Sequence, residues 1–155
     1  MIKKCVFKNR IPTIFVIVLL LCSMVIPSAA VKSTYQKTET IETEFGLIEI
    51  DTALTVHESL SRSNTKKADY AQTFRYSGKV IAEVTLSATF GYDGKTAWVI
   101  SSSGSHTTYD GWGYSGQKIT TSGGTATLTA TLSKLTVGKV PVNIPLTCSP
   151  SGQIS

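Results

Sequence analysis

The chain is 155 residues long and carries a formal charge of +5, with 15 basic and 10 acidic side chains, three cysteines and 41% hydrophobic residues. That length suits one domain. Four basic residues, Lys3, Lys4, Lys8 and Arg10, lie in the first thirty positions and every acidic residue lies after them. The remainder is therefore 11 basic against 10 acidic, or +1, which argues against nucleic acid or an anionic membrane as a charge-recruited partner.

Residues 1–30 follow secretory signal-peptide anatomy: a basic start, an apolar run from Ile11 to Ile26, and small residues at Ser28 and Ala30, so cleavage is expected after Ala30. Pro12 and Thr13 interrupt the run, which falls short of the ~20 apolar residues that span a bilayer. Leu21 stands where a lipoprotein signal needs a small residue before Cys22. An exported chain of 125 residues (155 less 30) remains, with Cys148 as its single thiol. The phase of Cys148 with Val140, Val142, Ile144 and Leu146 predicts a buried thiol.

Residues 31–43 are polar and read as a tether, leaving 44–155 as one β-sandwich domain. Between Glu44 and Leu60, the apolar Phe45, Leu47, Ile48 and Ile50 suggest a strand. Asp51 could instead cap a short helix carrying Leu54 and Leu60. Ser61 to Lys67 reads as a polar connection.

Val80 to Asp93 is the clearest element: even positions from Val80 to Phe90 are apolar, while Glu83, Thr85, Ser87 and Thr89 are polar, as in a strand with one buried face. Hairpin phase extends the argument to its neighbours. A loop at Tyr76-Ser77-Gly78 pairs Phe74 with Val80 and Tyr70 with Val84. A turn at Tyr92-Asp93 with Gly94 left-handed pairs Ala88 with Trp98 and Leu86 with Ile100. A loop at Thr136-Val137-Gly138 pairs Leu132 with Val142, Ala130 with Ile144, Leu128 with Leu146 and Ala126 with Cys148. Gly-Lys closes all three hairpins, consistent with one turn solution reused. Ser101 to Thr108 is a Ser-rich run, and Gln117 to Thr121 a short strand turning at Ser122-Gly123-Gly124. About seven antiparallel strands at this spacing predict an all-β, immunoglobulin-like two-sheet sandwich.

Three constellations bear on chemistry. Tyr109, Asp110, Trp112 and Tyr114 sit among glycines, and such rings with a carboxylate can stack on sugar faces and accept sugar hydroxyl hydrogens, although Trp112 and Tyr114 also carry core phase. Thr85, Thr89, Thr125, Thr127, Thr129 and Thr131 form outward hydroxyl rows, suited to a solvated sheet face or to a repetitive surface. His57 and His106 are the only histidines, with no metal-ligand spacing, no framing carboxylate in sequence and no Gly-x-Ser-x-Gly elbow, so neither an enzyme nor a cofactor or metal site is expected.

The segment from Phe90-Gly91-Tyr92-Asp93-Gly94 to Leu146-Thr147-Cys148-Ser149-Pro150-Ser151-Gly152-Gln153-Ile154-Ser155 resembles uncharacterised small exported β-rich proteins of Gram-positive bacteria. The resemblance implies an extracellular setting and a β-rich fold, and it supplies no functional residues. A partner cysteine for Cys148 would be expected and is missing from the sequence. The resulting expectation is a secreted, non-enzymatic binding protein acting on carbohydrate or a cell-envelope component, loosely held at the surface. The alternative is a secreted toxin or bacteriocin-like protein whose Thr-rich hairpins act on a target membrane, which a single hairpin cannot span without oligomerising.

Overall fold

A computed structural model describes residues 32–43, 46–57 and 64–155. The expected signal peptide, together with Glu44, Phe45 and Leu60, lies outside them. Eight strands follow in order: β1 (Lys32–Thr43), β2 (Gly46–His57), β3 (Thr65–Tyr76), β4 (Lys79–Tyr92), β5 (Ala97–Thr108), β6 (Gly113–Ser122), β7 (Thr125–Lys134) and β8 (Gly138–Thr147). They form two antiparallel sheets, ordered β1-β2-β3-β4-β5 and β6-β7-β8. The all-β two-sheet reading holds, with eight strands. Within each sheet every strand pairs with its neighbour in sequence and the chain changes sheet once, between β5 and β6, so the connectivity is a meander and lacks the Greek-key crossing of an immunoglobulin domain. Among the described residues no helix is long and apolar enough to cross a membrane.

Two stretches read as connections are strands. Residues 32–43, expected as a tether, form β1, and Thr65–Lys67 begin β3. Asp51 caps no helix: it lies within β2, where its carboxylate accepts hydrogen bonds from Arg75 Nε at 2.9 Å and Thr38 Oγ1 at 2.8 Å. Polar side chains do not prevent pairing, because the ladder uses backbone groups and β2 supplies a complete set along β1.

Burial in β4 alternates as expected from Ala82, with Ala82, Val84, Leu86, Ala88 and Phe90 sealed, but beside the register shift Ile81 is buried in place of Val80. Against them pack Ala126, Leu128, Leu132, Val140, Val142, Ile144 and Leu146, in one apolar cluster shared by both sheets. Cys148 belongs to it as a buried thiol, and burial pushes its pKa up.

Two of the three hairpins preserve the expected parity and correct the register. The β4–β5 hairpin does not, because its loop runs over residues 93–96, which sets Trp98 opposite Gly91 on the outer side, leaves Ile100 unpaired and puts Ser102 and Gly104 opposite Ala88 and Leu86. Between β3 and β4 the turn is Ser77-Gly78, both at positive φ, and Phe74 faces Ala82 while Tyr70 faces Leu86. A register shift beside Phe74/Arg75 restores the apolar phase that a two-residue turn alone would break. Between β7 and β8 the loop is Leu135-Thr136-Val137, so Leu132 faces Val140, Ala130 Val142, Leu128 Ile144 and Ala126 Leu146. Gly78, Gly94 and Gly138 share positive φ, but the three turns differ in length, so no single turn is reused.

Both ends of the sandwich are tied. At one end Val99 N donates to Gly123 O at 3.1 Å, Gly94 N to Pro150 O at 3.0 Å, and the C-terminal Ser155 exchanges backbone bonds with Thr147 at 2.7 and 2.9 Å. At the other, Trp112 meets Tyr76 edge-on with ring centres 6.2 Å apart, and Lys134 Nζ donates to Asp110 O at 2.8 Å.

Gly104 of β5 sets how closely the sheets approach. A Cβ there would lie 2.5 Å from Leu128 Cδ1, which is fully buried and has little room to move. Gly104→Ala should therefore destabilise the fold by about 1–3 kcal/mol through overpacking. In urea unfolding, its cost should shrink when added to Leu128→Ala; simple additivity would show that the two sites do not touch in solution.

Candidate functional site

The strongest site is the outer face of β4 and β5. Its character comes from a bulge at Ile100. Phe90 faces Val99, but Thr89 faces Ser101, so one residue of β5 is unpaired and the phase of the strand reverses there. Ser102, Gly104, His106 and Thr108 then share the inward side with Ala88, Leu86, Val84 and Ala82. Outward lie four cross-strand pairs: Thr89 with Ser101, Ser87 with Ser103, Thr85 with Ser105, and Glu83 with Thr107. Seven of these eight side chains are hydroxyls. Gly104 stands inward where β7 packs closely over β5.

Aromatic rings stand at both ends of this row. Trp98 is opposite Gly91 and 45% exposed; a Cβ on Gly91 would come within 2.4 Å of its Cε2, so the indole lies flat across a backbone that only glycine leaves bare. The loop beside it is held by Asp93, whose Oδ1 accepts from Thr96 N at 2.7 Å and Lys95 N at 2.9 Å; these bonds hold its carboxyl below the usual range. At the far end Tyr109 Oη donates to Glu83 Oε2 at 2.9 Å, a bond that pushes the phenol pKa up. Glu83 to Gly91 at ~3.3 Å per residue makes the row roughly 27 Å long. Midway, Lys67, Ser87, Thr89, Ser101 and Ser103 line a shallow cleft of about 310 Å³.

The four residues singled out from sequence do not form one site. Tyr109 joins the row. Asp110 sits at a turn with φ 52° and presents its carbonyl to Lys134. Trp112 is only 4% exposed and packs on Tyr76, so its faces are closed to a ligand. Tyr114 stacks on His106 with ring centres 3.7 Å apart and donates to Gln117 Oε1 at 3.0 Å; burial raises its pKa. These two rings close the seam between β5 and β6. The threonine rows split between sheets: Thr85 and Thr89 belong to this face, while Thr125, Thr127, Thr129 and Thr131 lie on β7. Trp98 was missed because the expected turn set it opposite Ala88 on the core side, and the apolar run Trp98-Val99-Ile100 offered no alternation to correct that phase; the mid-strand Gly91 was the available signal.

Next to the row, His57 Nε2 and Asp69 Oδ2 are 2.7 Å apart, so a carboxylate does frame this histidine across the sheet. Asp69 stands on β3 between His57 on β2 and Ser87 on β4. The acid is thus central, whereas a nucleophilic triad needs the histidine central. Burial pushes the Asp69 pKa up, but the Ser87 hydroxyl, His57 and the charge of Lys67 together bring it below the ordinary value. No cluster of three or more His, Cys, Asp or Glu among the described residues could hold a metal ion.

Fold and face together define an all-β, two-sheet antiparallel protein whose larger sheet carries a hydroxyl-rich outer surface. Compared with protein families, curated proteins and solved structures, the chain matches none.

Because the folded pKa of Asp69 is depressed, its contribution is complete above the unfolded value and is lost as pH falls through the folded one. Asp69→Asn should cost about 0.5–1 kcal/mol at pH 7, and that difference should narrow below about pH 4. Urea midpoints measured at pH 7 and pH 3 test it; an equal loss at both would show that charge is not responsible.

Proposed function

We propose that this is an exported protein that acts by binding and without catalysis, gripping an extended carbohydrate polymer of the extracellular space or cell envelope along the outer face of β4 and β5. The observation that carries this reading is the hydroxyl row running from Trp98 to the Tyr109–Glu83 pair. A polysaccharide is long, rich in hydroxyls and repetitive. It offers apolar sugar faces to an exposed indole and hydrogen-bond donors and acceptors to Ser, Thr and Glu.

Several features support a polymer over a small molecule. The cleft along the row is shallow and open, whereas small ligands are usually enclosed by concave, mainly apolar pockets. The row is continuous because it follows two paired strands. Its side chains are short, so little rotamer freedom is lost when they are ordered by a ligand. The sheet beneath is rigidly supported by the sealed side of β4.

Trp98 and Trp112 are the only tryptophans, so fluorescence separates the two candidate rings. Titration with soluble cell-wall polysaccharide should give a saturable change in the wild-type protein and in Trp112→Phe. Trp98→Phe should lose the signal, and calorimetry should show roughly tenfold weaker binding from the missing stack. Binding unchanged in Trp98→Phe, or silence in the wild type across neutral and anionic polysaccharides, would sink the proposal.

A further inference from the structure

We propose that β1 is a self-complementary edge through which two copies pair antiparallel about a two-fold axis at Thr38, joining their larger sheets into one. The other open edges are protected. β8 carries Pro141 and Pro145, which lack the N–H that an added strand would need, and its Thr147 is already paired with Ser155. β5 and β6 close on each other through Val99 and Gly123 and through the stack of His106 on Tyr114. β1 has none of these devices: it is 12 residues long, contains no proline, and pairs with β2 without a bulge from Lys32 opposite His57 to Thr43 opposite Gly46.

The second copy is identified by charge and shape complementarity. Tyr35, Lys37, Glu39 and Ile41 stand opposite Leu54, Thr52, Ile50 and Ile48 of β2, and so lie on the core side of the larger sheet. The smaller sheet lies over β3, β4 and β5, and Tyr35 is left 58% exposed. With Thr38 on the axis, Lys37 falls opposite Glu39 of the second copy and Tyr35 opposite Ile41 of the second copy, each contact occurring twice. On the other face Thr38 meets Thr38 and Gln36 meets Thr40. Inward charges usually guard an edge against pairing. Here they select a register: centring the axis on Lys37 or Glu39 sets like charges against each other, and only the Thr38 axis neutralises both. Within one copy Lys37 already pairs with Glu39 along the strand, so the dimer extends an existing ion pair into a four-charge group.

Sedimentation velocity on the expressed full chain, with its N-terminus in whatever form export leaves it, should show a concentration-dependent dimer. Lys37→Glu and Glu39→Lys should each weaken it at least about tenfold, because each change creates two like-charge contacts. The double variant Lys37→Glu/Glu39→Lys should restore it, since the opposed pairs are re-formed with their signs exchanged. Circular dichroism confirms folding; should one reversal fail to fold, the other reads the same contact. A wild-type chain that stays monomeric, a dimer indifferent to the reversals, or a swap that fails to restore association would each overturn the proposal.

Discussion

The structure depends on one dry contact: the inward side of β4 against the apolar sides of β7 and β8. Ala82, Val84, Leu86, Ala88 and Phe90 meet Leu128, Leu132, Val142, Ile144 and Leu146 there, all of them buried. Non-polar burial is the main favourable term for a domain of this size. Exposing this side of the sheet would also leave two open sheets with bare edges. Both sheets are therefore interpretable only as halves of one core.

That core constrains phase. Side chains alternate along a strand, so an apolar stripe survives a turn only if the turn length or an extra residue keeps odd and even positions aligned. The chain meets the constraint differently at each hairpin: the short Ser77-Gly78 turn is followed by a register shift, the β4–β5 loop is followed by the bulge at Ile100, and the three-residue loop before β8 needs neither. Register shifts make the core continuous, and one of them creates the outer surface. Without the bulge at Ile100, the serines of β5 would share the core side and the hydroxyl row would not exist.

The two faces of the larger sheet therefore have separate origins. Its inner face is selected by hydrophobic burial, which tolerates few alternatives. Its outer face is a by-product of alternation on which polar composition is free to vary, and short hydroxyl side chains with one bare glycine under an indole are one use of that freedom. Trp112, Tyr114 and His106 seal the core where the chain passes from one sheet to the other. The Gly-aromatic segment spends its rings on closure, and the exposed surface takes its rings from Trp98 and Tyr109.

Much of the inner structure was legible in the chain. Alternation from Ala82 to Phe90 identified the central strand and its buried side, and the even phase of Cys148 identified a buried thiol, because burial of alternate residues writes a period-two pattern directly into sequence. Parity across the β3–β4 and β7–β8 hairpins could be deduced for the same reason, whereas the β4–β5 loop and its bulge overturned it for Trp98 and Ile100. The register itself, the pairing of β1 despite its polar composition, and the meander order required the folded chain, since ladder hydrogen bonds use backbone atoms that every residue supplies. The same holds for the surface. A single unpaired residue at Ile100 decides whether Ser101, Ser103 and Ser105 face solvent beside Trp98, and the contact of His57 with Asp69 joins residues whose nearness exists only across paired strands. Local composition determined which residues could be buried, and only the three-dimensional packing of the two sheets decided which rings and hydroxyls remained outside.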